Sequence, residues 1–380
     1  MLASLLGNAF NNIVPFVLIM SALIFIHEFG HYIVARWNGV RVDVFSIGFG
    51  PEITGWNDRH GTRWKLSWVP LGGYVKFFGD ANAASAAGAD IESMTAEERA
   101  VSFHHKRLSQ RAAIVAAGPI ANFLTAILIF AVVFSIIGQP FTKPVLTDVI
   151  AGSAAAEAGL RPGDRVVRVN GAGVERFEDL QRIVQMRPNE TLRLDVERDG
   201  ALRSIAATPR LHEMKDNFGN VHRIGQLGIR STAVEYVRHD PVSAVWYGTK
   251  ATWDVVTTTL VAVKQMIVGA RSTSELAGVI GIAQMSGQVA KVGFMALVQF
   301  AAFLSVSLGL INLFPIPVLD GGHLLYYIAE ALRGRPLSER VQEYGLRFGL
   351  LLVVGLLFLT TFNDLNYRLN VFGYVSSLFS

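Results

Sequence analysis

The sequence predicts a polytopic α-helical membrane protein of four transmembrane helices, with a β region after the first span and one soluble α+β domain between the second and third. Three observations predict it. Mean hydropathy is +0.37. Hydrophobic residues make up 51% of the chain and charged ones only 17%, below the roughly 25% of soluble domains. Four runs, Ile13–Val34, Ile114–Ile137, Phe294–Leu313 and Tyr344–Phe362, are apolar enough to cross a bilayer, which takes about 20 residues. With no cysteine, the chain has no disulfide, thiolate metal site or cysteine nucleophile, and a net charge of +4 without a Lys/Arg block excludes a nucleic-acid footprint.

Ile13–Val34 is expected to be a span rather than a cleaved signal peptide, because no basic residue precedes it and no small-residue cleavage site follows. It also carries His27-Glu28-Phe29-Gly30-His31. On a helix His27 and His31 lie one turn apart on one face and can share a Zn²⁺, with Glu28 beside them to take a proton from water. Polar groups inside an apolar span cost several kcal/mol unless they serve a purpose. Next, Val42–Gly50 alternates with period two up to a Gly-Pro boundary, and Arg63–Val69 reads as a second strand closed by Pro70–Lys76. This β region (about 41–78) fits a cytoplasmic hairpin platform or a substrate-facing sheet; periodicity does not choose. Ala81–Ala89, small and polar, reads as a loop, and the second span closes the first half of the membrane core at about residue 140.

The soluble domain is expected over 141–212. Val145–Ile150, Arg165–Asn170, Thr191–Glu197 and Leu202–Thr208 alternate like strands, and Phe177–Met186 reads as a short helix. Residues 213–291 read as a linker. Within it Val255–Val268, apolar but containing Lys264, is expected to be an amphipathic helix on the outer surface. A fifth span there would reverse the chain and separate Asp320 from the histidines. The second half of the core, 292–380, contains the third span, which ends in Asn312–His323, where Pro315 and Pro317 break the helix. Irregular backbone at membrane depth is tolerated only inside protein or beside a wet cavity. Asn363–Arg368 reads as the water-facing exit of the last span.

Lys and Arg near the membrane ends set orientation. Nine of them lie between Arg36 and Arg107, and Arg333, Arg335 and Arg340 separate the last two spans, whereas residues 1–12 have none and the tail only Arg368. Both termini and the soluble domain should therefore face outward. His27 follows about 14 apolar residues, so it sits roughly 21 Å in, past the midplane on the cytoplasmic side. The third span descends to the same level and delivers Asp320, which completes a His₂Asp set with one open position, a catalytic rather than structural zinc arrangement. His323, one turn further on, is the rival ligand.

HEFGH at 27–31, AAGPIAN at 116–122 and NLFPIPVLDGG at 312–322 together resemble the site-2 protease family of intramembrane zinc metalloproteases, in its bacterial regulator-of-sigma-E branch. The resemblance implies His27, His31 and Asp320 as zinc ligands, Glu28 as catalytic acid/base and Asn312 as a substrate-positioning residue. It favours a substrate-facing β region whose edge pairs with an unwound substrate strand. Gly152–Asp164, leading into Val169-Asn170-Gly171, resembles a PDZ domain of the bacterial protease type, able to bind a peptide tail or to act as a size filter. That branch carries two such domains in tandem where this chain has room for one, and it has proline at the position of Val279. The implied location is the bacterial inner membrane, with the PDZ domain periplasmic. The implied partners are the lipid bilayer and transmembrane substrates, either an anti-sigma factor already trimmed outside or remnant signal peptides.

Two other classes compete. A non-catalytic PDZ membrane adaptor would need neither Glu28 nor an aspartate at the depth of the histidines. A zinc transporter or sensor is expected to show more intramembrane ligands or internal repeats, and the sequence shows neither.

Overall fold

The computed structural model describes residues 2–80, 93–215, 221–269 and 272–368; the loop expected at Ala81–Ala89 lies outside the described residues. The chain divides into two compact units. One comprises Met1–Ala131, Val245–Val261 and Thr273–Ser380, the other Val132–Ala244 with Ala262–Ser272. Among the described residues four helices are long and apolar enough to cross a membrane, at Phe10–Trp37, Leu108–Ile136, Phe294–Asn312 and Arg340–Asn366, each overlapping one of the four apolar runs.

The first helix, α1, spans Leu2–Trp37. It stops at Gly39, whose φ of +67° lets the chain reverse while Gly39 N–H reaches Arg36 O (3.0 Å) and Val40 N–H reaches Ala35 O (2.9 Å). That is a Schellman ending, and it needs a residue free to be left-handed. Strands β1 (Val42–Asn57) and β2 (Arg63–Phe77) follow, both longer than their alternation suggests. They fold back on themselves. Residues 42–47 pair with 73–77 on one side (Phe45↔Val75, Ile47↔Gly73) and with 63–66 on the other (Phe45↔Trp64), while 54–57 pair with 63–66 beyond. The bend is made at Gly48 and Gly50, at φ +89° and +88°. A side chain on Gly48 would sit 2.9 Å from Ser67 O. Asp58 closes the turn, accepting from His60 N (2.8 Å) and Thr62 N (2.9 Å), and ties it to α1 through Tyr32 Oη (3.0 Å) and to Trp64 Nε1 (2.9 Å). Burial alone would raise its pKa; bonds from Trp64, Thr62, His60 and Tyr32 overcome that and hold it down to about 2. The inner face of the sheet (Val42, Phe45, Val75, Phe77) packs on Tyr32, Ala35, Phe103, Ile114 and Val115.

After a short capped helix, α2 (Ala96–Val101), α3 runs over Leu108–Ile136. The second unit begins with β3 (Gln139–Thr142) and β4 (Asp148–Val149), then helix α4 (Ala154–Glu157), β5 (Arg165–Val169), β6 (Ala172–Gly173), helix α5 (Phe177–Gln185), β7 (Leu192–Arg198) and β8 (Ala201–Ala207). Strands β6-β5-β7-β8 form one antiparallel sheet. The expected strands and helix of this domain coincide with these elements to within a few residues. Its C-terminal boundary differs. Beyond 212 the hairpin β9 (Arg210–Lys215) and β10 (Val221–Gln226) continues into β11 (Ile229–Arg230), which pairs with β4, and β12 (Val234–Val237), which pairs with β3. Leu227 is buried in the same core as Leu146, Leu180, Leu192 and Val196. Residues 213–237 are therefore part of this unit rather than a linker; strands of two and four residues that find their partners some eighty to a hundred residues back leave no local period to read.

The expected amphipathic helix is also longer. Helix α6 spans Pro241–Ile267, started by Asp240, which accepts from Val242 N and Ser243 N at 3.1 Å each, with Pro241 at the first helical position. Within the first unit its Gly248 lies against Ile127 and Ala131 of α3, and Val255 and Val256 pack on a cluster with Ala302 and Val306. Helix α7 (Val279–Val292), unread in the sequence, packs against α1, with Gly287 against Asn12. Helices α8 (Phe294–Asn312), α9 (Asp320–Arg333) and α10 (Glu339–Asn363) complete the unit. The expected water-facing exit at Asn363 is not exposed: Asn363 and Asp364 are buried, the Asp364 carboxylate accepting from Gly278 N (3.1 Å) and Gly281 N (2.9 Å) at the start of α7. A carboxylate on free helical N–H groups is satisfied without water.

Candidate metal centre

Helix α1 places His27 and His31 on one face as the one-turn spacing requires, with ring centroids 4.8 Å apart. Asp320 opens α9, delivered there by the irregular turn 313–319. Val318 in that turn has φ +136°, a rare conformation for a β-branched residue and a mark of strain stored beside a site. His27 Nε2, His31 Nε2 and the Asp320 carboxylate converge: 3.2 Å between the two nitrogens, 3.2 Å from His27 to Oδ2 and 3.6 Å from His31 to Oδ1. Among the described residues this is the one group of three or more such side chains gathered closely enough to hold an ion. His323 lines the neighbouring cavity but stands outside the group.

The donors fit zinc. Ligand bonds of about 2.0–2.1 Å in tetrahedral geometry put neighbouring donor atoms about 3.3–3.4 Å apart, and the three spacings here, 3.2, 3.2 and 3.6 Å, bracket that value. His31 Nδ1 lies 2.8 Å from Ile114 O. A carbonyl only accepts, so Nδ1 carries the proton and Nε2 turns its lone pair inward. On His27, Nδ1 lies 3.0 Å from the Asn122 side-chain nitrogen, while Asn122 Oδ1 is buried without a partner. A half-turn of that amide, which leaves its shape unchanged, puts Oδ1 on Nδ1–H and gives His27 the same tautomer. Asp320 Oδ2 is likewise buried with no hydrogen-bond donor, a costly state for a carboxylate unless a cation meets it.

Helix α3 arranges all of this. Ile114, Gly118 and Asn122 recur every fourth residue and share one face. A side chain at Gly118 would lie 2.3 Å from His31 Nε2 and 2.9 Å from His27 Cε1, so only glycine leaves room for both rings. Gly30 repays the approach from α1: its missing Cβ would sit 2.4 Å from Ala117 O. In the motif AAGPIAN at 116–122, Asn122 has a task that the motif alone does not assign. An amide two turns from the face of Ile114, inside an apolar span, was the available signal.

Glu28 is buried (9% exposed) beside the three donors and lines one cavity with Val75. Gly73 meets its side chain, the absent Cβ lying 3.0 Å from Glu28 Cγ. The strand 73–77 therefore borders Glu28 directly. A cavity of about 590 Å³ opens over these groups, with Ile24, Phe49, Leu308, Leu319 and Val353 on its apolar walls and Asn312 and His323 among its polar lining.

The sequence matches Peptidase family M50 over residues 15–356. The chain belongs to peptidase family M50. A protein named as a zinc metalloprotease in Agrobacterium fabrum is 47% identical over 359 residues, covering 93% of this chain and 95% of its own. A second, in Rhizobium meliloti, is 46% identical over 368 residues (96% and 98%), and a metalloprotease of Caulobacter vibrioides is 38% identical over 392 (97% and 98%). A PDZ domain from Listeria innocua aligns with 26% of the chain and 99% of its own length, at 13% identity and a TM-score of 0.20. This M50 peptidase is thus a zinc metalloprotease, as the resemblance implied, with helices suited to a membrane and a set of donors suited to its metal.

Proposed function

We propose that this M50 peptidase hydrolyses peptide bonds within the transmembrane segments of other membrane proteins, with His27, His31 and Asp320 holding zinc and Glu28 as acid/base. The reading is carried by one observation: the three donors meet between helices long and apolar enough to span a bilayer, beside a cavity walled by apolar side chains and a strand edge. Zinc, when bound, supplies Lewis acidity that polarises the scissile carbonyl and makes water acidic enough to attack near neutral pH. The chain does the rest. Glu28, buried against strand 73–77, takes the proton of the attacking water and hands it to the leaving amine. A transmembrane helix hides its peptide bonds in its own hydrogen bonds, so the substrate must unwind, and strand 73–77 offers the edge on which it does so. Asn312, in the cavity wall, is suited to hold a substrate carbonyl.

The distribution of Lys and Arg supports an inner-membrane protein with termini and soluble domain outside and the site near the cytoplasmic face. We read that domain as PDZ-like, taking a peptide tail or excluding bulky substrates. Anti-sigma factors and remnant signal peptides are the substrate classes to test. In a reconstituted cleavage assay, Glu28→Gln should keep its zinc and lose hydrolysis of a transmembrane peptide; unchanged cleavage would refute the mechanism, and lost zinc would make Glu28 a ligand.

A further inference from the structure

Helix α9 carries Asp320 on its first residue, yet the turn before it is irregular and strained, so something else must fix the direction of the helix. The other end supplies it. Arg111 Nη2 donates to Glu330 Oε1 at 2.6 Å, with both side chains 17% exposed and 219 positions apart in sequence. The same guanidinium lies over the Tyr327 ring, 5.0 Å from its centre. Tyr327 and Glu330, three residues apart, share a face of α9, so one arginine grips the helix at two levels. Arg111 Nε is buried without a partner, a cost accepted only where the group is held for other reasons. Arg111 also sits three residues before Ile114, whose carbonyl orients His31.

We propose that Arg111, through Tyr327 and Glu330, is a positioning residue that sets the third zinc ligand against the first two. One end of α3 thereby aligns His31 through a backbone carbonyl and Asp320 through a clamped helix. Asp320 and Glu330 are ten residues apart, so the clamp acts over about 15 Å of rigid helix. A small swing at Glu330 then displaces the carboxylate beyond the roughly 0.2 Å that metal–ligand distances tolerate.

The proposal rests on the zinc site described above, and its test separates the two. Zinc dissociation constants are measured by chelator competition, and the cobalt-substituted protein is examined by visible absorption, for the wild type, His27→Ala, Glu330→Gln, Arg111→Lys and the exchange Arg111→Glu/Glu330→Arg. Glu330→Gln keeps the shape of the side chain and is the deciding variant. It should bind zinc about 10-fold more weakly, the lower end of what partners of metal ligands contribute, and lose intensity in the cobalt bands as the site departs from tetrahedral. Its kcat should fall more than its KM rises. Arg111→Lys should lie between it and the wild type, and the exchange should recover part of the affinity. Wild-type zinc affinity and cobalt spectrum in Glu330→Gln would overturn the clamp. Weak zinc binding by the wild type itself, unchanged in His27→Ala, would instead overturn the site.

Discussion

Gly118→Ala isolates the demand that two imidazoles share one ion. The added methyl would lie 2.3 Å from His31 Nε2, 2.6 Å from His31 Cε1 and 2.9 Å from His27 Cε1, against ordinary contacts of about 3.5–4.0 Å. His31 would have to retreat by about 1 Å and His27 by about half of that, several times the roughly 0.2 Å that zinc–ligand distances allow. Overpacking of this kind costs about 1–3 kcal/mol. The rings can escape only by turning from the ion, so the cost falls on the metal and corresponds to a zinc affinity about 5- to 150-fold weaker, at 1.4 kcal/mol per decade. The helix itself should gain, because alanine is better than glycine in a helix interior by about 1 kcal/mol. Loss of zinc without loss of α3 is therefore the signature. Zinc content after dialysis against graded chelator reads the first, and helicity by circular dichroism the second. A Gly118→Ala protein that keeps wild-type zinc affinity would refute the crossing of α1 and α3 on which the site is built.

Asn122→Leu removes the partner of His27 Nδ1 while keeping the branching of the side chain; zinc affinity should fall about 10- to 100-fold, and a normal zinc dissociation constant would show that His27 orients itself. Asp164→Asn should lower the thermal midpoint of the soluble unit at neutral pH. Its carboxylate is buried; burial raises its pKa, but paired bonds from Arg198 Nε (2.6 Å) and Nη2 (2.8 Å) and one from Arg161 N (2.9 Å) hold it below the ordinary 3.8. The sign follows: a depressed folded value stabilises fully above 3.8 and is lost as pH falls through the lowered pKa. The gap between wild type and Asp164→Asn, about 2 kcal/mol for bonds to a charged group, should therefore be constant from pH 5 to 8 and close in strong acid; a gap that widens in acid would contradict it. Gly349→Ala places a methyl 1.5 Å from Pro317 O, three residues before Asp320. It should push α10 off that turn, at about 1–3 kcal/mol, and weaken zinc as well as lower the melting temperature; an unchanged zinc affinity would show that the turn is held without α10.

Membership of the membrane class, the four helices long and apolar enough to span a bilayer, the pair of histidines and the strands of the second unit were all legible in the sequence. Each is written in a short-range pattern: 20 apolar residues, a spacing of four, or an alternation of two. The aspartate some three hundred positions downstream was reached by depth, because a span of known rise is a ruler, and by the resemblance of NLFPIPVLDGG at 312–322, which favoured it over His323. Only the tertiary structure decided what lies between such patterns. That Ile114, Gly118 and Asn122 serve the two imidazoles depends on α3 crossing α1 at Gly30, and that Asp364 caps α7 depends on a helix end arriving from eighty residues away. The hairpin folding twice upon itself, the return of β11 to β4 and the grip of Arg111 on α9 are likewise pairings between distant segments. Periodicity says which face of an element is apolar; which partner meets that face is settled by packing, and packing has no period.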